Sequence, residues 1–385
     1  MALELRGHPN RLSDDGRLSR ARFMPTAPFT GQERVNRMFA RQEQDRVPRH
    51  ETLWPETLAR WNSEGFAGDE AAFLAWLGSD FHWIARSDPV PYPGRRDLLQ
   101  DEGETLIVRD HYGALLRCWK QRSGTPEHFG WECESRRVWE EKTRPAMIES
   151  GVQTNVASAL ANYQAGRRAE KWCYLTCIEG FEFTRRTMGD AVTLIAMAED
   201  PDWIREVART QTDLVLRDFE AVLEQGIRPD GLWIFGDMAF KTATICSPRM
   251  YRDLIWPQHR RLAGWAHDHG LKVIYHSDGN VNGVIDLYLE AGFDCLQPLE
   301  AKAGMDLRRL APAYESKLAM FGNIDIMVLA TNQRDLVEHE VRAKLAAGMA
   351  CRGYIFHSDH SVPPSVSWPT YQFVRELVEQ HGTYL

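Results

Sequence analysis

No stretch of this 385-residue chain approaches the roughly 18 consecutive apolar residues of a membrane-crossing helix, so no span is expected. Residues 1–22 are polar and charged and have no apolar signal-peptide core, which makes a cytoplasmic protein the expectation. Basic residues are not in excess. The 46 Lys and Arg stand against 54 Asp and Glu, a formal charge of −8 that argues against a nucleic-acid groove. Cysteine is sparse and odd in number, seven scattered residues that read as reduced thiols. The closest pair, Cys173 and Cys177, lies on a strand-like segment and does not have zinc-ribbon spacing. No GxGxxG follows a strand, and there is no P-loop and no GxSxG elbow, so nucleotide and serine-hydrolase chemistry have no motif behind them. Low-complexity segments and dividing linkers are also missing.

What is present is enough for a large core: 43% of residues are apolar, and 13 are Trp. Core packing is the ordinary use of so many indoles, and lining a cavity or barrel mouth is the other. Residues 1–30 carry Gly7, Pro9, Pro25 and Pro28 with little periodicity and read as an N-terminal arm. Thr30 then caps a helix in a capping-box arrangement with Glu33. The segments Thr105–Arg109 and Ala114–Trp119 flank a four-residue loop and form a hairpin. From Trp172 onward strands and helices alternate. The expected strands are Trp172–Cys177, Gly231–Phe235, Leu271–Tyr275, Cys295–Pro298, Ala319–Phe321 and Gly353–Phe356. A helix from Pro248 to His269 should kink at Pro257. Six such strands plus one or two earlier ones suit a closed (β/α)8 TIM barrel over residues 31–385, an α/β fold with an added β-hairpin and an N-terminal extension.

The most informative stretch is Leu271 to Asn280. A buried strand runs into His276 and Asp278, two apart and so on one side, with Gly279 allowing a sharp turn. Polar residues follow the other strands too: Asp237, Glu300, Asn323, Asp325, His357, Asp359 and His360. In a parallel barrel these ends share one face. Carboxylates held together there need a cation or a proton. Two imidazoles and one carboxylate, His276, Asp278 and His360, suit a catalytic zinc or non-haem iron, with Glu300 as a fourth ligand or a base. The plainer alternative is a hydrogen-bonded structural histidine at each strand end. Arg95 and Lys241 are weaker candidates for neutralising an anionic substrate.

Several short segments in order resemble the uroporphyrinogen decarboxylase superfamily of single-domain TIM barrels. They are Glu33-Arg-Val-Asn-Arg37, Asp45-Arg-Val-Pro48, Asp237, Ser247-Pro248, His276-Ser-Asp-Gly279, Gly322-Asn-Ile-Asp325 and Gly353-Tyr-Ile-Phe-His-Ser-Asp-His360. The superfamily includes the haem-pathway decarboxylase and the methyltransferases of cobalamin-dependent systems. The decarboxylase branch carries arginines shortly after the equivalent of Pro48. Here that place reads His50-Glu-Thr-Leu-Trp-Pro-Glu56, where Glu51 and Glu56 would oppose a polyanionic tetrapyrrole. The methyltransferase branch binds zinc through a His-x-Cys pair and a later Cys. By position the resemblance implies His276, Asp278 and His360 as ligands, with harder donors in place of two thiolates.

The resemblance implies a divalent metal, zinc first, in a methyltransferase or demethylase. It would pass a methyl group from a small or aromatic methoxylated substrate to cobalamin on a partner corrinoid protein. Asp237, His276, Glu300 and His360 are the expected catalytic residues, and Trp54, Trp83, Trp233, Asn323 and His357 the expected substrate contacts. The alternatives are a decarboxylase acting on a carboxylated substrate and a ligand-binding barrel without catalysis. A homodimer is left open.

Overall fold

The computed structural model describes residues 28–121 and 125–384. The expected N-terminal arm therefore lies outside the described residues except for its last three positions. Among the described residues no helix is long and apolar enough to cross a membrane.

Seven parallel strands form one sheet in the order β1 (Phe81–Ser87), β6 (Trp172–Ile178), β7 (Gly231–Phe235), β8 (Lys272–His276), β9 (Cys295–Gln297), β10 (Ala319–Phe321) and β11 (Tyr354–Ile355). Residues 47–50 close the ring. The amide of His50 donates to the Phe356 carbonyl (3.1 Å), and the amide of Phe356 donates to that of Pro48 (2.8 Å). On the other side the amide of Asp80, just before β1, donates to the Arg49 carbonyl (2.9 Å). This short extended segment is the eighth stave of a (β/α) barrel. The parallel pairing continues upward from Leu53 to Val362.

Even-spaced side chains of successive strands point into the barrel, as a parallel sheet requires. Phe81, Trp172, Tyr174, Ile274, Cys295, Phe321 and Ile355 fill it, with Trp233 packed against them. Helix Gly31–Phe39 closes the floor by adding Val35 and Met38 to the same cluster. Its start is the expected capping box. The Thr30 hydroxyl accepts the Glu33 amide (3.1 Å), and the Glu33 carboxylate accepts the Thr30 amide (2.9 Å). Outside the ring, helices cover a second and larger apolar layer.

Some expectations need correction. The hairpin has its expected limits, Thr105–Arg109 (β3) and Ala114–Trp119 (β4), but it is the middle of a four-stranded antiparallel sheet. The flanking strands, β2 (Asp97–Asp101) and β5 (Glu127–Trp131), gave no apolar alternation, because β2 is exposed at every residue. The long helix is interrupted, not kinked. Pro248–Leu254 ends at Ile255, and Trp256–Asp268 begins anew with Pro257 in its first turn, where a missing amide costs nothing. Strand β8 runs one residue further than expected, so His276 is its last residue.

One carboxylate ties floor, closing segment and first strand together. Asp80 accepts from Arg34 Nη1 (2.6 Å), Arg46 Nη1 (2.8 Å), Arg46 Nη2 (2.9 Å) and the Arg49 amide (2.8 Å). Its side chain is 2% exposed and that of Arg34 5%. Removing one member of such a cluster leaves the others charged and unmatched away from water. Asp80→Ala is therefore expected to lower the unfolding free energy by about 3–5 kcal/mol. Chemical denaturation followed by far-UV circular dichroism reads this, and a loss below about 1 kcal/mol would show that ring closure does not depend on this group.

Candidate active site

The carboxyl ends of β7, β8, β9 and β11 converge at the barrel mouth. His276 ends β8 with its ring stacked on Phe235 of β7, centroids 4.6 Å apart and planes 14° apart. Its Nδ1 donates to the Gln297 side-chain oxygen at the end of β9. That contact leaves Nε2 facing two carboxylates, Asp237 Oδ1 at 3.5 Å and Asp278 Oδ2 at 4.0 Å. Donor atoms of Asp237, His276 and Asp278 all lie within 4.8 Å of one another. His360 reaches in from beyond β11, with Nε2 3.7 Å from Asp278 Oδ2. Its ring lies parallel to that of Trp54, a few residues beyond the closing segment, at 6.1 Å.

The loops hold these groups through the backbone. Asp237 Oδ1 accepts the Asp278 amide (2.9 Å), so the two loops are fastened at the carboxylates themselves. Arg185 grips the Asp237 carbonyl (3.1 Å), and Ser277 accepts the Met238 amide (3.0 Å). Gly279 is the turn that permits the crossing. Its φ is +84°, and a Cβ there would stand 2.5 Å from the Ala239 carbonyl oxygen. Glu300 accepts the Gly279 amide (2.6 Å) with one oxygen and pairs with Lys302 (3.2 Å) through the other.

The electrostatics follow from three acids in a partly dry mouth. Burial alone would strip the proton from His276, but Asp237 and Asp278 outweigh it and raise its pKa to about 9. Burial likewise opposes the charge of Asp237, yet His276 and the Asp278 amide hold that carboxyl below its ordinary range. Asp278 is pushed upward, by burial first and by Asp237 next, against the pull of His276. Its Oδ1 is buried and has no hydrogen-bond partner among the described residues. An orphaned carboxylate oxygen beside an imidazole and a second carboxylate is a donor set that fits a divalent cation.

The expected ligands His276, Asp278 and His360 are thus neighbours, with Asp237 inside the tightest group. Glu300 is 8% exposed and has both oxygens engaged. Among the expected substrate contacts, Trp54 and Trp83 are at the mouth. Trp83 is 46% exposed and donates through Nε1 to the Thr176 hydroxyl (3.2 Å). Trp233 sits lower, packed on Tyr174 and Phe321 at centroid distances of 5.4 and 5.1 Å.

Two expectations fail. Asn323 does not face substrate. It turns back with φ +76° and is fully buried, accepting the Leu307 amide (2.9 Å) and the Lys344 ammonium and donating to Leu299 and Met305. His357 is buried beneath the mouth, Nε2 3.4 Å from Glu51 Oε1. Glu51 itself accepts from Ser358 Oγ (2.7 Å) and Tyr371 OH (2.8 Å), so it is buried on these partners and does not line the mouth as the sequence suggested. Gln297 and Arg185 escaped notice. Gln297 follows Cys295 by two and so shares its inward face, a signal that could have found it, whereas nothing in the chain marks Arg185.

The profile of the uroporphyrinogen decarboxylase (URO-D) family matches residues 185–381, just over half of the chain. A methyltransferase from Methanosarcina mazei superposes with a TM-score of 0.62 at 13% identity, covering 91% of this chain and 99% of that one. At that identity the likeness concerns the fold. A GH18 chitinase, ChiB, from Flavobacterium johnsoniae reaches a TM-score of 0.35 at 9% identity, covering 59% of this chain and 80% of its own, and carries no weight. No curated protein matches the chain in sequence.

A histidine raised from 6.5 to about 9 stabilises the fold fully below pH 6.5 and ceases to do so as pH rises through about 9. Metal-free protein should therefore lose stability over that window, by about 3 kcal/mol at most, and His276→Gln should not. Denaturation midpoints of both proteins across the window read this. Parallel curves would mean that the imidazole is neutral in the folded state.

Proposed function

Since the chain belongs to the uroporphyrinogen decarboxylase (URO-D) family, we propose that it is a metal-dependent methyltransferase that demethylates a small methoxylated aromatic molecule and passes the methyl group to a corrinoid on a partner protein. The observation that carries this reading is the donor set Asp237, His276 and Asp278 at the mouth, with the orphaned Asp278 Oδ1 among them. The methyltransferase fold neighbour is consistent with it. So is the lack of any arginine from His50 to Glu56, which still counts against a polycarboxylate now that Glu51 has proved to be inward-facing.

Asp237, His276 and Asp278 would hold the metal, zinc in the first instance, and His360 stands beside them. When bound, such an ion supplies Lewis-acid polarisation of an ether oxygen. The protein's own groups do the rest. Gln297 holds Nδ1 of His276, which keeps Nε2 aimed at the site. The Trp54 ring, parallel to His360, covers one side of the mouth and offers a face to a planar substrate. Once its methyl group has left, the substrate would be a phenolate, and His360 Nε2, 3.7 Å from Asp278, would give it a proton. Arg185 fixes the Asp237 loop throughout.

His276→Ala is expected to abolish methyl transfer and metal content together while the far-UV spectrum stays unchanged, since the ring lies at the last position of its strand. Asp278→Cys should retain zinc but turn over more slowly, because a thiolate donates more charge to the metal than a carboxylate. Metal analysis after purification without chelator, paired with corrinoid methylation followed by its absorbance, reads both. Full turnover in the metal-free protein, with carbon dioxide as product, would replace this reading with decarboxylation.

A further inference from the structure

Besides Arg185 and Lys302, which serve the loops that carry the acids, two further arginines stand at the mouth. Asp237, Asp278 and Glu300 follow β7, β8 and β9, whereas Arg86 and Arg186 come from β1 and the helix after β6. In a ring of eight staves, β1 stands across from β9.

Arg86 is at the mouth because β1 is irregular. In a regular strand only residues two apart share a face. Here Trp83 pairs with Tyr174 and Arg86 with Thr176, the register slipping between Trp83 and Ala85. Tyr174 belongs to the barrel interior, and Thr176, two residues on, shares its face. Trp83 and Arg86, three apart, therefore both point inward. Bulges of this kind re-aim side chains beside functional sites. Trp83 is left with an indole 46% exposed, and among the described residues no aromatic ring packs against it. Arg86 has a side chain 47% exposed and uses one amino group on Asp88 (3.1 Å), a carboxylate already shared with Tyr112 OH at 2.7 Å.

Arg186 completes the group. Its Nε donates to Glu182 (2.8 Å), and its two terminal amino groups have no protein acceptor among the described residues. The guanidinium lies 5.6 Å from the Phe235 ring centre, and that ring stacks on His276. Two other cations of this region are engaged. Arg185 is held by Asp190 and by the Asp237 carbonyl, and Arg95, a candidate from the sequence, by Asp97 and Glu132.

Resting on the demethylase reading above, we infer that Trp83, Arg86 and Arg186 anchor the anionic end of the substrate, and that the substrate class is a methoxylated aromatic carboxylate. The indole stacks on the ring of the substrate, the two guanidinium groups take its carboxylate, and the methoxy group points toward His276 and Asp278. Planar forked donors match a carboxylate better than any other side chain.

Calorimetric titration of the full chain with 4-methoxybenzoate and with its neutral counterpart 4-methoxybenzamide tests this. The acid should bind about tenfold or more tightly than the amide. In Arg86→Gln and in Arg186→Gln that preference should shrink toward unity while amide binding holds. Arg86 is half-exposed, so its variant keeps the test valid if loss of Arg186 beside buried Glu182 harms folding. Equal binding of acid and amide, no binding of either, or a preference that survives both substitutions would overturn the subsite. The two readings fail separately. Arginine-dependent binding of the acid without methyl transfer would support the subsite and end the demethylase reading. Transfer from neutral methoxyarenes but not from the acid would do the opposite.

Discussion

The buried carboxylate of Asp80 is what makes a ring of this sheet. It lies before β1 and receives Arg34 from the floor helix, Arg46 from just before the closing segment and the Arg49 amide from within it. Four donors on one acid specify position more sharply than apolar contact does. Everything at the mouth inherits that position. Trp54 sits a few residues beyond the closing segment, and its ring partner His360 comes from beyond β11. Neither would stand near Asp278 if the segment were displaced by one residue, because a one-residue slip turns each side chain to the opposite face.

Much of this was legible in the chain. Gly231–Phe235 and Ala319–Phe321 are short apolar runs bounded by polar residues, and their limits were read correctly. His276 and Asp278 were found because alternation puts both on one side of a strand end. The closing segment was harder. It has no apolar run, and one of its two edges pairs with residues some three hundred positions away. Strand β2 was missed because every residue on it faces water. Asn323 and His357 show a different limit. Both follow strands as Asp237 and His360 do, but one turns back to bond Lys344 and the other sinks onto Glu51. A linear sequence gives the place of a polar residue at a strand end, and packing decides which way it turns.

The acids at the mouth can be balanced in two ways. In the protein alone, a proton on His276 does this for Asp237 and Asp278, and Lys302 does it for Glu300. A divalent ion on the same atoms would expel that proton, since a coordinating imidazole must be neutral. Proton and metal therefore compete for one arrangement of side chains, which is why the site can be well ordered without either partner being unique. The unpaired Oδ1 of Asp278 is the atom that a proton on His276 leaves unsatisfied.

The pairing that closes the barrel joins the two ends of the fold. Thr52 and Ser361 meet across 309 positions of sequence, and Glu51 bonds Ser358 across 307. A chain emerging from the ribosome makes β1 and the closing segment early but cannot seal them until β11 has followed. For most of synthesis the edge of residues 47–50 that will meet β11 stays open to other strands, and contacts of such long range form slowly. The floor helix is made in time to stand against β1 through Arg34 and Asp80 while the rest of the ring is built. The pair needs no residue beyond Asp80, so it is available to hold the first edge of the sheet before the last one is made.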